Sequence, residues 1–369
     1  MVIAPAALSR TIGVVLPARE VFGVRKSGAV ALCARDFAAY SRFREQIAIL
    51  GAAACEYPDV RYLRLVSWRR WYLRGRTAYA QAVIRAAREQ GFAALEIQNR
   101  PYMVEAVRKA LPKVKLALHL HNDPQTMDGS RSVGDRRRLL RQLDAVYCVS
   151  EFIRRQFLAG VADDAGKAIV VHNGVAANRP CARKERIIAF VGRVIPDKGV
   201  AELVQAFARA AAHLPEWRLV IAGGDPDNML SGAKAPLARE RDALGNQLSL
   251  LGQVSHADAM ALFAQAEIAA VPSLWQDPCP RAAIEALASG CALIATAEGG
   301  LAEVADGAGE IVDTRDIAAF AATLRRVASD EPLRRRLQER ARARAREVFD
   351  IRRVIEPLDD ARARLLAAH

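Results

Sequence analysis

The chain has 369 residues, 52% of them hydrophobic and 26% charged, with a formal net charge of +13. That length exceeds what one hydrophobic core usually serves and predicts two domains of ordinary size, with no internal repeat or low-complexity linker between them. No run approaches the roughly 20 apolar residues of a membrane span, and no charged segment leads into a long apolar core at the N-terminus, so a cytoplasmic protein is expected.

In chain order, Thr11 to Leu16 reads as a short strand, and the loop from Arg19 to Gly28 runs into a helix ending near Tyr40. Basic residues then cluster at Arg61, Arg64, Arg69, Arg70, Arg74 and Arg76, interleaved with Trp68, Trp71, Tyr72 and Leu73, and again at Arg136 to Arg138, Arg141, Arg154 and Arg155. Residues 1–180 carry 29 Lys and Arg against 15 Asp and Glu, whereas residues 181–369 carry 25 against 26, so the whole excess lies in the first half. A basic surface mixed with aromatics suits an anionic membrane surface or a diphosphate-linked acceptor. Nucleic acid would suit it too, although none is expected here, and an Arg-rich solvated surface has the same composition.

Ala93 to Gln98 is a further strand, closed by the turn Asn99-Arg100-Pro101. In the strand starting at Lys115, His119 and His121 share one face, with His121 nearer the carboxyl end. Two histidines at that spacing can ligate a metal, but no carboxylate-rich partner set accompanies them, so no metal is expected. Val146 to Val149 is a strand followed by Ser150-Glu151, where Ser150 also suits a helix cap. Ile169 to Val175 is a strand ending in a turn; the polar stretch 177–185 follows, and the domain boundary is placed between residues 178 and 179.

The second half alternates strand and helix more plainly. Ile187 to Arg193 reads as a buried strand, Val194 to Gly199 as its turn, and Val200 to about Ala212 as a helix. A parallel strand feeding a helix puts the intervening loop at the carboxyl end of the sheet, so Arg193 and Lys198 would bring two permanent cations to a phosphate there. Strands follow at Arg218 to Gly224, Leu248 to Val254, Ile268 to Pro272 and Ala292 to Ala297, with Ser255 and Asp258 capping a helix from His256 to Gln265. Asp277 and Glu285 lie eight positions apart, one before a helix start and one about a turn inside it. From there Asp277 could meet a sugar and Glu285 a ribose while the first-turn N–H groups face a diphosphate. A capping Asp and a solvated Glu have the same spacing. The six cysteines, at 33, 55, 148, 181, 279 and 291, show no CxxC spacing and imply neither a zinc site nor a disulfide framework.

The order Gly-Arg-x-x-x-x-Lys-Gly, an apolar strand ending Gly-Gly, Leu-Leu-Gly-x-Val, an acid and a Glu separated by seven residues, and Gly-Gly before Leu-x-Glu-Val resembles the donor half of the retaining glycosyltransferases of family four. The match runs from about Gly192 to Val312. It implies an α/β GT-B fold, two Rossmann-like βα domains facing each other across a cleft, with residues 1–178 on the acceptor side, 179–348 binding the nucleotide sugar, and helices in 349–369 returning to the first domain. The activity implied is transfer of a sugar from a UDP-, GDP- or ADP-linked donor to a glycan or lipid-linked acceptor with retention of configuration, in lipopolysaccharide, exopolysaccharide or other glycoconjugate synthesis. Peripheral contact with the inner face of the membrane would go with such an acceptor.

The resemblance also assigns residues. Arg193 and Lys198 would neutralise the leaving diphosphate, doing the work a metal could do, so no cofactor beyond the donor is expected. Glu285 would hold the ribose, Asp277 would orient the sugar in place of the commoner Glu, and His121 would hydrogen-bond the sugar near the reacting carbon. Gly28, Val254, Pro278, Cys279 and Pro280 complete the expected donor contacts. Ser27 stands where relatives often have a second glycine, and Pro280 where glycine is usual, which removes an N–H from the loop. A nucleotide-sugar epimerase of the same fold and a non-catalytic nucleotide-sugar-binding protein stay open as alternatives. A Rossmann oxidoreductase is disfavoured because no G-x-G-x-x-G lies between a strand and a helix.

Overall fold

The computed structural model describes residues 11–23, 27–65, 75–161, 165–176, 183–231 and 235–367. The chain divides into two units, residues 1–172 with 354–369, and residues 173–353. Arg69, Arg70, Arg74 and their aromatic neighbours lie outside the described residues, as do Cys181 and the expected boundary at 178/179. Among the described residues, no helix is long and apolar enough to cross a membrane.

The first unit is built on a seven-stranded parallel sheet of β1 (Ile12–Val15), β2 (Ile47–Gly51), β3 (Tyr62–Arg64), β4 (Ala94–Gln98), β5 (Lys115–Leu120), β6 (Ala145–Cys148) and β7 (Ala168–Val170), in the order β3-β2-β1-β4-β5-β6-β7. Helices cover both faces, which is why β1, β2, β4 and β6 are buried along their whole length and read as apolar runs without alternation. The second unit repeats the plan with six strands: β8 (Glu185–Val191), β9 (Arg218–Ala222), β10 (Leu248–Gly252), β11 (Ala266–Val271), β12 (Ala292–Ala295) and β13 (Gly309–Ile311), in the order β10-β9-β8-β11-β12-β13. All the pairings are parallel. Its core gathers Ile188, Phe190, Leu219 and Ile294 from the sheet against Val204 and Phe207 of the helix Val200–Ala210 and Phe320 and Leu324 of the helix Ile317–Ser329.

Two polar residues interrupt β4. Glu96 and Gln98 are both buried, and the two-residue period puts them on one face of the strand. Glu96 takes both of its oxygens to Arg362 of the C-terminal helix Ile351–Ala367, from Nε and Nη2 at 2.8 Å each. Arg362 is 1% exposed and also reaches Asp359 at 3.2 Å, whose carboxylate accepts from Ser41 Oγ at 2.6 Å and the Arg42 N–H at 2.7 Å. Burial alone would lower the guanidinium pKa, yet Glu96 and Asp359 outweigh it and raise it. The helix is thereby tied to the first unit by a buried fork of charge-assisted hydrogen bonds.

The basic first half is less of a free surface than its composition suggests. Arg136 is 3% exposed and donates to the carbonyls of Ser130, Arg131 and Ala159, so it fastens the ends of two helices instead of facing a membrane or solvent. Arg154 likewise donates to the Ala168 carbonyl at 2.9 Å. Ser150 does serve as a cap, its hydroxyl accepting from the Ile153 N–H at 3.2 Å.

Removing Arg362 leaves the Glu96 carboxylate buried without a partner. Arg362→Ala should therefore lose about 3–5 kcal/mol of unfolding free energy in urea titrations. A change below about 1 kcal/mol would show that the network does not hold the helix.

Candidate functional site

In an open parallel sheet the loops leaving the carboxyl ends part to opposite faces where the strand order reverses, and that parting makes a binding crevice. In the second unit the reversal lies between β8 and β11. The loop after β8 carries Arg193 and Lys198; the loop after β11 carries Trp275 and Asp277. A backbone hydrogen bond fixes the two against each other, from Leu274 N to Asp197 O at 2.9 Å, and a second, from Gly300 N to Asp277 O at 2.8 Å, ties the loop after β12 to the loop after β11. Gly199 permits the approach: its φ is +66°, and a Cβ there would fall 1.9 Å from the Pro272 carbonyl oxygen.

The result is an ion pair between Lys198 Nζ and Asp277 Oδ2, with Asp277 6% exposed and the ammonium 5.7 Å from the Trp275 ring centroid. Arg193, on the same loop as Lys198, is exposed and makes no ion pair among the described residues. A buried carboxylate and a tethered ammonium thus meet at the switch point, and the loop that carries the ammonium also carries the exposed Arg193.

The loop runs on through the buried Pro278, Cys279 and Pro280 into the helix Arg281–Ala288. Asn173 Nδ2 donates to the Cys279 carbonyl at 2.7 Å, and Pro280 stands at the N-cap with φ −68°. Glu285 sits one turn inside and is 4% exposed. Its Oε1 accepts from Arg281 Nε and from His256 Nε2, each at 2.7 Å. Burial alone would raise the carboxyl pKa, but the Arg281 charge and the His256 bond outweigh it and hold it below the usual range. Val254 is half-buried just before the helix His256–Gln265. Arg281 and His256 are the partners of Glu285 that the sequence reading missed; the Arg281–Glu285 spacing of one helical turn was the available signal.

In the first unit the order reverses between β1 and β4. A pocket of about 400 Å³ lies there, lined by Ala18 and Arg19 after β1, Asn99 to Tyr102 after β4, Asn122, Met127 and Asp128 after β5, and Gly75 and Arg76. Asn99 adopts φ +57°, and its Oδ1 accepts from the His121 and Asn122 N–H groups at 3.1 and 3.2 Å, which joins the ends of β4 and β5. His121 is 8% exposed, donates from Nε2 to Gln98 Oε1 at 2.8 Å and stacks on His119 with ring centroids 4.3 Å apart. Burial pushes its pKa down to about 3; burial also lowers that of His119 well below the ordinary value, with help from His121 and Arg362. His121 is therefore a neutral imidazole whose Nδ1 is left as an acceptor. Gln98, which sets that tautomer, was legible only as a polar residue in an apolar strand.

Gly28 stands at the N-cap of the helix Ala29–Ala39. The Glu20 carboxylate already covers that helix end, accepting from the Ala31 N–H at 3.3 Å, and a Cβ on Gly28 would fall 1.9 Å from Glu20 Oε1. In this structure the backbone around Gly28 faces the chain's own carboxylate.

Two family models match the chain, "Glycosyltransferase Family 4" over residues 30–179 and "Glycosyl transferases group 1" over residues 177–344. The chain belongs to these glycosyltransferases. It is 27% identical over 299 residues to a putative glycosyltransferase, YtcC, of Bacillus subtilis, covering 73% of this chain and 72% of that one. With D-inositol 3-phosphate glycosyltransferase of Mycolicibacterium smegmatis it shares 33% identity over 219 residues, 55% of this chain and 49% of that relative, so the match spans about half the relative's length. Among solved structures it resembles sucrose-phosphate synthase of Thermosynechococcus elongatus, with a TM-score of 0.76 at 20% identity over 98% of this chain and all of that one. A structure of Anabaena Alr3699/HepE with UDP and glucose gives 0.74 at 17% identity, over 96% and 99%. At those identities the likeness is one of fold, and the fold is GT-B.

In this glycosyltransferase the two buried histidines set a pH dependence. The unfolded chain protonates each near pH 6.5 and the folded chain does not, so their contribution to stability is fully present above that pH and lost as pH falls below it, for His121 down to about 3. The slope is up to about 1.4 kcal/mol per pH unit for each imidazole. His121→Gln should flatten that decline between pH 6.5 and 4.5 in denaturation series. A native His121 imidazole titrating near pH 6.5 by NMR would contradict its burial as a neutral group.

Proposed function

We propose that the protein transfers a glycosyl group from a nucleoside-diphosphate sugar, bound by the second unit, to an acceptor hydroxyl, with retention at the anomeric carbon. The observation that carries the reading is the Lys198–Asp277 ion pair at the switch point with Arg193 beside it on the same loop. As the sugar–phosphate C–O bond breaks, negative charge stays on the departing diphosphate, and a new C–O bond forms to the acceptor oxygen, whose proton is released. Lys198 and Arg193 stabilise that charge where it develops. Asp277 accepts from sugar hydroxyls, and Glu285 from the ribose through Oε2, because Arg281 and His256 both converge on Oε1. His121 supplies a neutral hydrogen-bonding group for the glycosyl moiety. The Anabaena protein was solved with UDP and with UDP-glucose, which makes uridine diphosphate the first nucleotide to test.

Charge-assisted hydrogen bonds are worth about 1.5–3 kcal/mol, so Lys198→Ala and Arg193→Ala should each weaken nucleoside-diphosphate binding by roughly 10- to 150-fold while the circular dichroism spectrum is unchanged. Wild-type affinity in both variants would remove the donor site from these loops. Release of nucleoside diphosphate should require an acceptor; conversion of the donor sugar to its epimer without one would instead indicate the epimerase of the same fold.

A further inference from the structure

We infer that the pocket of the first unit is an acceptor subsite for a phosphate monoester on a sugar or polyol. This rests on the glycosyltransferase reading but concerns a different set of residues. Among the described residues, three arginines and one carboxylate line the pocket: Arg19, Arg76, Arg100 and Asp128. The carboxylate is already satisfied, since Asp128 is bonded by Arg76 and faces Arg131 at 3.5 Å. Glu20 also acts on Arg100, yet its carboxylate is turned to the Ala31 N–H. Counting these neighbours, four arginines face two carboxylates, and the pocket keeps a positive balance.

The guanidiniums are placed to use it. Arg19 is exposed and makes no ion pair among the described residues. Arg100 gives one N–H to the Asn99 carbonyl at 2.7 Å, which anchors the side chain and, among the described residues, leaves the other four donors of its guanidinium for a ligand. Asn99 is itself held by the two backbone N–H groups on its Oδ1. A planar fork of donors matches the tetrahedral face of a phosphate and binds it in bidentate fashion, which a neutral hydroxyl cannot reproduce. Asn122 and Tyr102 add neutral polar groups suited to ring hydroxyls. The volume of about 400 Å³ lies at the small end of ligand pockets and fits one phosphorylated monosaccharide or polyol.

The test is calorimetric titration of the full chain, saturated with nucleoside diphosphate, with glucose 6-phosphate, fructose 6-phosphate and inositol 1-phosphate, each beside its neutral parent, and with glucuronic acid and farnesyl diphosphate. At least one phosphate monoester should bind about tenfold or more tightly than its parent, and Arg100→Gln or Arg19→Gln should remove about that preference. Nucleoside-diphosphate affinity should not move in either variant. Arg19 is exposed, so its variant keeps the fold even if the Arg100 variant does not. Equal binding of monoester and parent, tighter binding of glucuronic acid or farnesyl diphosphate, no binding at all, or unchanged binding in Arg19→Gln would each overturn the assignment. Monoester binding without glycosyl transfer would leave the pocket standing and refute the transfer reading; transfer to neutral acceptors alone would do the reverse.

Discussion

An ammonium and a carboxylate held together where two loops part from one sheet organise the second unit's candidate site. Asp277 is buried, and an unpaired charge at that depth would cost several kcal/mol. Lys198 supplies that partner, which places the cation on the β8 loop beside Asp277. In the proposed reaction the diphosphate competes for Lys198 and releases Asp277 towards the sugar. The surrounding backbone serves this arrangement: Gly199 lets the two loops touch, the Asp197 carbonyl receives the Leu274 N–H, and Gly300 holds the Asp277 carbonyl.

The first unit solves a similar problem with different groups. Two polar side chains on one face of β4 are buried, and each is satisfied by a residue far away in sequence: Glu96 by Arg362, Gln98 by His121. One partnership secures the C-terminal helix to the sheet; the other fixes the orientation of a neutral imidazole. Buried polar groups must be paired, so structure and candidate chemistry share the same strand.

Much of this was legible because parallel sheets write themselves as apolar runs followed by glycine-rich turns. The strands at Ala94–Gln98 and Arg218–Ala222, the helix His256–Gln265 and the positions of Lys198, Asp277 and Glu285 around loops and a helix start all follow from local pattern. What was not legible depended on partners distant in the chain. Nothing near Arg362 announces Glu96, 266 residues away. Nothing near Glu285 announces His256 apart from its place at a helix start. Charge counting failed in a particular way at Arg136, where composition reports a cation but only the fold reveals that backbone carbonyls consume it. The Glu20 carboxylate over the helix at Gly28 is of the same kind, a local loop contact that no spacing rule encodes.

The most direct test of the competition between Asp277 and diphosphate is a double-mutant cycle. Calorimetry would give the uridine diphosphate affinity of the wild type, Lys198→Ala, Asp277→Asn and the double variant, since coupled residues depart from additivity where independent ones do not. Freeing Lys198 from its carboxylate should tighten binding in Asp277→Asn, and the loss caused by Lys198→Ala should be larger in that background than in the wild type. Losses that simply add, or an Asp277→Asn variant that binds the diphosphate as poorly as Lys198→Ala, would contradict the account.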